Sequence, residues 1–395
     1  MSISSVAGSN PDLSGCFALQ TISSLTITSG TLDMSNIPLD IVGGGTAFSG
    51  SGGTINTGGS SGDLDIDNNA SFSGVTFNNS SADLNIDGSV TMSNGTINSN
   101  TGTVTVDGTF TKTNGTFDTD TATVTLKGAT SNSSGAFNNG NSGTLDIQNV
   151  FTLSGGTFAQ GSKIVKTDGL TVSAGTYTAG AGSILVDGTF AKTGSGAFNG
   201  STGNIDINGA VNITGGTFQA STATTTVSGN FSRSGGTFTH NSGTINLDGT
   251  NQILTGDITF NNLTKNVTSA YTLTFTANDT ITVEGTSNFS GTEGNLLSIR
   301  SSIGGTHADF DPQGTRTFNY LDVQDNDNIN VTEIDMTGLN SIGGQQNNVN
   351  WSNFGDEAAD GVPEFTNYLY IATLFICFYI FNNYKKENKL NTFSQ

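Results

Sequence analysis

The sequence predicts an all-β chain folded as a parallel β-solenoid (β-helix), a stack of coils of about twenty residues each, followed by one C-terminal membrane helix. Three observations predict it. The composition is rich in Gly, Ser, Thr and Asn and poor in Pro and charge. An apolar or aromatic marker returns about every twenty residues, and an alternating apolar pair keeps the same beat.

Composition sets the class. Only 33% of the chain is hydrophobic, low for a compact α/β enzyme of 395 residues, yet its 25 Phe are more than a disordered linker keeps. Low charge with many Thr, Asn and Gly suits short strands joined by tight turns. The net charge of −20 argues against a nucleic-acid partner and against docking on anionic lipid, because phosphate binding needs a cationic face. An acidic surface keeps a long rod soluble. The two cysteines, Cys16 and Cys377, lie at opposite ends and form no CxxC motif.

The repeat supplies the architecture. Phe77, Ile97, Phe117, Phe137, Phe158, Tyr177, Phe198, Phe218 and Phe238 each follow Gly-Thr, Gly-Ala or a near variant. The pair recurs as Leu84/Ile86, Val104/Val106, Val124/Leu126, Leu145/Ile147, Ile184/Val186, Ile205/Ile207 and Ile245/Leu247. A third marker falls at Val90, Phe110, Phe151, Leu170, Phe190, Val211 and Phe231. Each unit therefore holds three short strands that cannot bury a core alone. Stacking coils at about 4.8 Å turns the inward residues into columns. After the second marker, Gly88, Gly108, Gly128, Gly169, Gly188, Gly209, Gly229 and Gly249 share one place with Asn149. Gly with Asn as the exception suggests a turn requiring φ > 0.

Five segments follow. Residues 1–60 read as degenerate coils, 61–250 as the regular solenoid, and 251–354 as longer coils closed by a cap over residues 348–354. Residues 355–364 form an acidic linker, and 365–395 an apolar helix with a basic tail. The run 365–381 spans about 25 Å as a helix, near the lower limit for a bilayer. Lys385, Lys386 and Lys389 would hold the C-terminus in the cytoplasm and leave the solenoid outside. Residues 1–20 lack the basic start and apolar stretch of a secretory signal. The two ends are reconciled if the sequence begins inside a longer gene product.

Candidate chemistry is sparse. Asp87, Asp107, Asp168, Asp187 and Asp248 precede turn glycines, and Lys127, Asn208 and Ser228 interrupt them. Asp-Gly is a preferred turn pair, and stacked carboxylates leave room only for weak Ca²⁺ bridging. His240 and His307 have no neighbouring ligand in sequence. Lys112, Lys192 and Arg233 share a repeat position and read as solvated surface residues. The pairs Thr103/Thr105, Thr123/Thr125 and Thr224/Thr226 form a threonine array broken by Thr144/Asp146, Lys163/Val165 and Asn204/Asp206. No catalytic, cofactor-binding or metal-ligating residue is assigned, no cofactor is expected, and the chain is not expected to be an enzyme.

The repeat resembles the β-helical surface proteins of bacteria, of the filamentous-haemagglutinin and adhesin sort. Residues 295–300 and 311–316, with Tyr320-Leu321-Asp322-Val323 and Asn348-Val349-Asn350-Trp351, are similar to the closing region of large bacterial surface proteins. Pro363-Glu364-Phe365 before the apolar run and basic tail resembles an exosortase-type sorting signal. Phe365 stands where the best-known class has a second proline. The resemblance implies a surface location, a membrane sorting enzyme as partner, and recognition carried by Pro363 and Glu364. The function expected is a cell-surface stalk or adhesin whose partners are glycans, a host or neighbouring cell surface, and the membrane through the C-terminal helix. A carbohydrate-active β-helix enzyme of the lyase or hydrolase sort is the alternative, and an ice-binding solenoid a further one.

Overall fold

The computed structural model describes residues 2–4, 19–343 and 346–355. The chain winds as a parallel β-solenoid of about 17 turns, with no helix among the described residues. One coil shows the plan. Leu84–Ile86 lies on wall one, Val90–Met92 on wall two and Thr96–Asn98 on wall three. Each strand pairs in register with its copies in neighbouring coils: Leu84 with Leu64 and Val104, Val90 with Ala70 and Phe110, Ile97 with Phe77 and Phe117.

Side-chain alternation decides what each wall buries. Walls one and two turn their first and third residues inward, whereas wall three turns in only the middle one. The marker residue is that single inward group. The predicted column therefore forms: Phe117, Phe137, Phe158, Tyr177, Phe198, Phe218 and Phe238 pair in unbroken register. Consecutive ring centroids are 4.9, 5.0, 4.5, 4.7, 5.3 and 5.6 Å apart. Phe110, Phe151, Phe190 and Phe231 lean on it from wall two at 5.0, 5.2, 5.1 and 5.2 Å. Offset and edge-on contacts of this kind each add about 0.5–1.5 kcal/mol beyond burial. Where the wall-two marker is missing, Thr130 fills its place, fully buried between Phe110 and Phe151.

The corner glycines need a correction. None of Gly88, Gly108, Gly128, Gly169, Gly188, Gly209, Gly229 and Gly249 has a positive φ, and neither has Asn149. Small size is what their corner requires. A Cβ on Gly108 would lie 2.6 Å from the carbonyl carbon of Gly88 in the coil beneath, closer than van der Waals contact permits. Left-handed geometry sits instead at the corner between walls two and three, in the glycine that introduces the marker. Gly115 has φ +81 there. Asn149 is not in a turn at all. The strands Thr144–Leu153 and Ile164–Val172 run straight through the corner, with a register shift between Ile147 and Val150 that absorbs the bend. They join walls one and two into a single 29-stranded sheet.

The flanks extend the same plan. In the N-terminal coils Leu25, Ile27, Leu32 and Ile41 are buried, and Thr31–Asp33 pairs with Thr54–Asn56. Beyond residue 250 the strands lengthen and the coils widen, so that Thr286 pairs with Thr315. Wall three is interrupted at this transition. Thr237–Thr239 ends one sheet and Ile258–Phe260 begins another, with no pairing between them. The core continues across the split through Phe238 and Phe260, 5.7 Å apart. Arg233 bridges it from outside, donating from Nε to the Asp257 carbonyl (2.8 Å) and from Nη1 to the Gly236 carbonyl (3.0 Å). Trp351–Ser352 pairs with Ile334–Asp335, Trp351 Nε1 donates to Asn326 Oδ1 at 3.1 Å, and Asn348 and Asn350 donate to four carbonyls of the last coils.

Two substitutions in the column should act in opposite directions. Phe158→Ala removes a fully buried ring packed on both sides and should lower the unfolding free energy by about 3–5 kcal/mol. Tyr177→Phe removes a buried hydroxyl that has no protein partner and should raise it by about 1–3 kcal/mol. Urea titration followed by circular dichroism reads both. A destabilised Tyr177→Phe variant would show that the hydroxyl is satisfied.

Candidate functional site

The solenoid brings repeat positions together in files, so its candidate sites are rows. The aspartate row follows the corner between walls one and two, and its interruptions prove to be its partners. Lys127 Nζ lies 2.7 Å from Asp107 Oδ1, Asn208 Nδ2 donates to Asp187 Oδ1 at 2.9 Å, and Ser228 Oγ donates to Asp248 Oδ1 at 2.7 Å. Each relieves the repulsion that stacked carboxylates would otherwise suffer. Elsewhere on wall one, burial and neighbouring carboxylates together lower acidity. Burial and the charges of Asp67 and Asp65 raise the Asp40 pKa, and burial with Asp248 and Asp187 raises that of Asp206. Among the described residues no three His, Cys, Asp or Glu gather as a metal site. Each histidine has a partner: His240 Nε2 lies 3.2 Å from Glu284 and its Nδ1 accepts from the Ser242 amide, while His307 Nε2 lies 2.9 Å from the Asn347 carbonyl.

The basic residues correct the sequence reading most. Lys112 and Lys192, expected at the surface, are fully buried, because they occupy the inward position that Met92, Val172 and Ile213 fill in neighbouring coils. Their stems pack with the core while the ammonium groups reach the carbonyls of the next corner. Lys112 Nζ donates to Ser134 O at 2.7 Å and to Asn132 Oδ1 at 3.2 Å, and Lys192 Nζ donates to Thr193 O at 2.5 Å. Arg233, at the same position, is half-buried and turns out across the wall-three split.

Two further buried lysines carry no signal in the repeat. Sequence spacing puts Lys163 in the threonine array, but the register pairs Thr144 with Ile164 and Asp146 with Lys166. The array is therefore broken there by Ile164 and Lys166, and Lys163 turns inside. It reaches back two coils to Ala122 O (2.6 Å) and Thr119 Oγ1 (2.7 Å). Thr119 belongs to an internal file of polar side chains that runs beside the aromatic column. In it Thr57 donates to Asn79, Thr119 donates to Asn139, and Gln160 donates to the carbonyls of Lys163 and Gly182. Lys265 donates to Gln252 Oε1 at 2.5 Å and to Thr250 O at 3.0 Å.

The outer surface is divided by charge. Carboxylates of the regular coils lie on wall one or at its corners, apart from Asp118 on wall three. Wall two carries none. Its middle outward row runs Ser71, Thr91, Thr111, Ser131, Thr152, Thr171, Ala191, Asn212 and Ser232. A parallel row includes Ser73, Ser93, Thr113, Ser133 and Ser154, several of whose hydroxyls bond the carbonyl beneath, as Ser73 does with Gly50 at 3.1 Å. Sequence reasoning missed this wall because it sought side chains with chemistry. Aligning the outward positions of the repeat would have shown it.

Comparisons with protein-family models, with curated proteins and with solved structures find no match.

The buried lysines make stability depend on pH in a stated direction. Burial pushes Lys112, Lys163 and Lys265 down to about 8 from the ordinary 10.5, with Asp120 and Asp118 opposing the shift at Lys163. The unfolded chain holds these protons more tightly, so unfolding takes up protons between those values and their contribution to stability rises with pH through that window. Lys163→Met should flatten the rise. The difference in Tm between wild type and Lys163→Met, followed from about pH 7.5 to about pH 9.5, checks this, and parallel curves would show that Lys163 titrates as in the unfolded chain.

Proposed function

We propose that the chain is a cell-surface stalk or adhesin, a stiff rod displayed outside the cell and sorted or anchored by its C-terminal segment. The observation that carries the reading is the continuity of the ladder. A single hydrophobic core runs from Ile22 to Trp351, and walls one and two pair coil to coil from Gln20 to Gln324. Such a body is long, stiff and uniform, and its partners meet rows of small polar groups rather than a cleft. In the aspartate row Asp107, Asp187 and Asp248 are each tied to a Lys, Asn or Ser, which favours a structural over a carbohydrate-active reading of that row.

The sorting part of the proposal rests on sequence. Pro363, Glu364, Phe365 and the apolar run 365–381 lie outside the described residues. No helix among the described residues is long and apolar enough to cross a membrane. The motif and basic tail favour a membrane sorting enzyme as the processing partner, with glycans or a neighbouring cell surface as what the rod meets.

Cell fractionation tests the reading. An export-competent full-length form should remain with the envelope, while a form ending after Asp360 should pass into the medium. Mass spectrometry of the retained form then separates permanent anchoring from cleavage near Pro363. Equal release of both forms would remove the sorting role.

A further inference from the structure

Building on the surface reading above, we propose that wall two is a docking face for an uncharged polysaccharide chain lying along the rod. Two properties together mark this wall, although outward threonines such as Thr105 on wall one and Thr96 on wall three are likewise without a hydrogen-bond partner among the described residues. The first is hydrogen-bonding capacity. The hydroxyls of Thr91, Thr111, Ser131 and Thr152 in its middle row have no hydrogen-bond partner among the described residues, and all are solvent-accessible. On the other walls several outward side chains already bond along their files: Asn98 donates to Asn78 at 2.9 Å on wall three, and Asn85 to Asp65 at 2.8 Å on wall one. A hydroxyl both donates and accepts, which suits a partner that is itself a dense array of hydroxyls.

The second property is charge. Apart from Arg233, which turns out towards the wall-three split, no outward residue in the regular coils of wall two is ionisable, yet the aspartate corner borders it along one edge. An anionic polymer meets that edge and the net charge of −20, and is repelled. Two copies laid wall to wall would bring two such edges together. An ice lattice would need the same group in every coil, whereas the row passes from Thr and Ser to Ala191 and Asn212. A sugar ring with several hydroxyls tolerates that variation.

Strand spacing sets the register. The middle row offers one side chain per coil, about every 4.8 Å, so an extended glycan parallel to the axis meets a new coil at nearly every ring. Each exposed hydrogen bond contributes little on its own, and retention comes from many coils acting together. Polymers should therefore bind where short oligosaccharides do not.

The test uses the full chain with cellulose and chitin powders as uncharged polymers and heparin-agarose as the anionic one. Wild type should be retained on at least one uncharged polymer, and added salt should not release it. Thr91→Glu/Thr111→Glu/Thr152→Glu on wall two should weaken retention by about tenfold or more, the equivalent of one or two lost hydrogen bonds. Asn85→Glu/Thr105→Glu/Thr125→Glu on wall one should bind as wild type. If the wall-two triple variant fails to fold, Thr111→Glu alone is read in the same way. No retention on either powder, equal losses from both walls, or salt-sensitive retention on heparin would each overturn the proposal. So would inhibition of ice recrystallisation, lost in the wall-two variant, without glycan retention. Fractionation is a separate readout: a protein released from the envelope that still binds glycan ends the anchoring reading alone, and an envelope-bound protein that binds neither powder ends this one.

Discussion

Parallel in-register stacking is the constraint on which the rest of this molecule depends. Every strand sits about 4.8 Å from its copy, so each residue spends its life beside its equivalent in the next coil. Whatever a position carries is multiplied along the rod. Inside, that rule makes an advantage of Phe, because one ring above another excludes water and gains aromatic contacts down the whole column. Outside, it makes a hazard of Asp, and the chain answers by setting Lys127, Asn208 and Ser228 among the carboxylates.

The same rule explains which parts of the fold were legible in the sequence. The aromatic column and the apolar pairs could be read because burial at a repeated position narrows the choice of residue, and their register is what the spacing predicts. The corner glycines are legible as a repeat, but the reason for them is not. Sequence shows that Gly recurs there but cannot separate a left-handed backbone from a close approach between coils, and only the distance from Gly108 to Gly88 makes the distinction. The burial of Lys112 and Lys192 is hidden from the sequence because a lysine in a polar repeat reads as surface. Whether it points in depends on a one-residue register that flips every side chain to the other face. Lys163 shows how small the difference is: one residue of register separates a buried cation from an exposed one.

Buried ammonium groups in so narrow a core need accounting for. A charge is tolerated inside only where polar atoms surround it, and the solenoid supplies these at its corners, where carbonyls lack a ladder partner. Lys112, Lys192 and Lys265 each reach such a corner, and Lys163 joins coils that are not adjacent. The corners are thus held from within by side chains, while the walls are held by their backbones. The outer walls are left free to vary, and wall one has become acidic where wall two has stayed neutral.

The split in wall three has a mechanical meaning. In a solenoid the hydrogen bonds between coils run along the axis, so a pull on the two ends loads them directly. Through most of the rod the load is shared by three walls. Between Thr237–Thr239 and Ile258–Phe260 the third wall contributes no ladder, and its place is taken by one guanidinium and a pair of rings. Tension concentrates at this level. Within the rod this is a level held by two ladders where its neighbours have three, with the narrow coils on one side and the wide coils on the other.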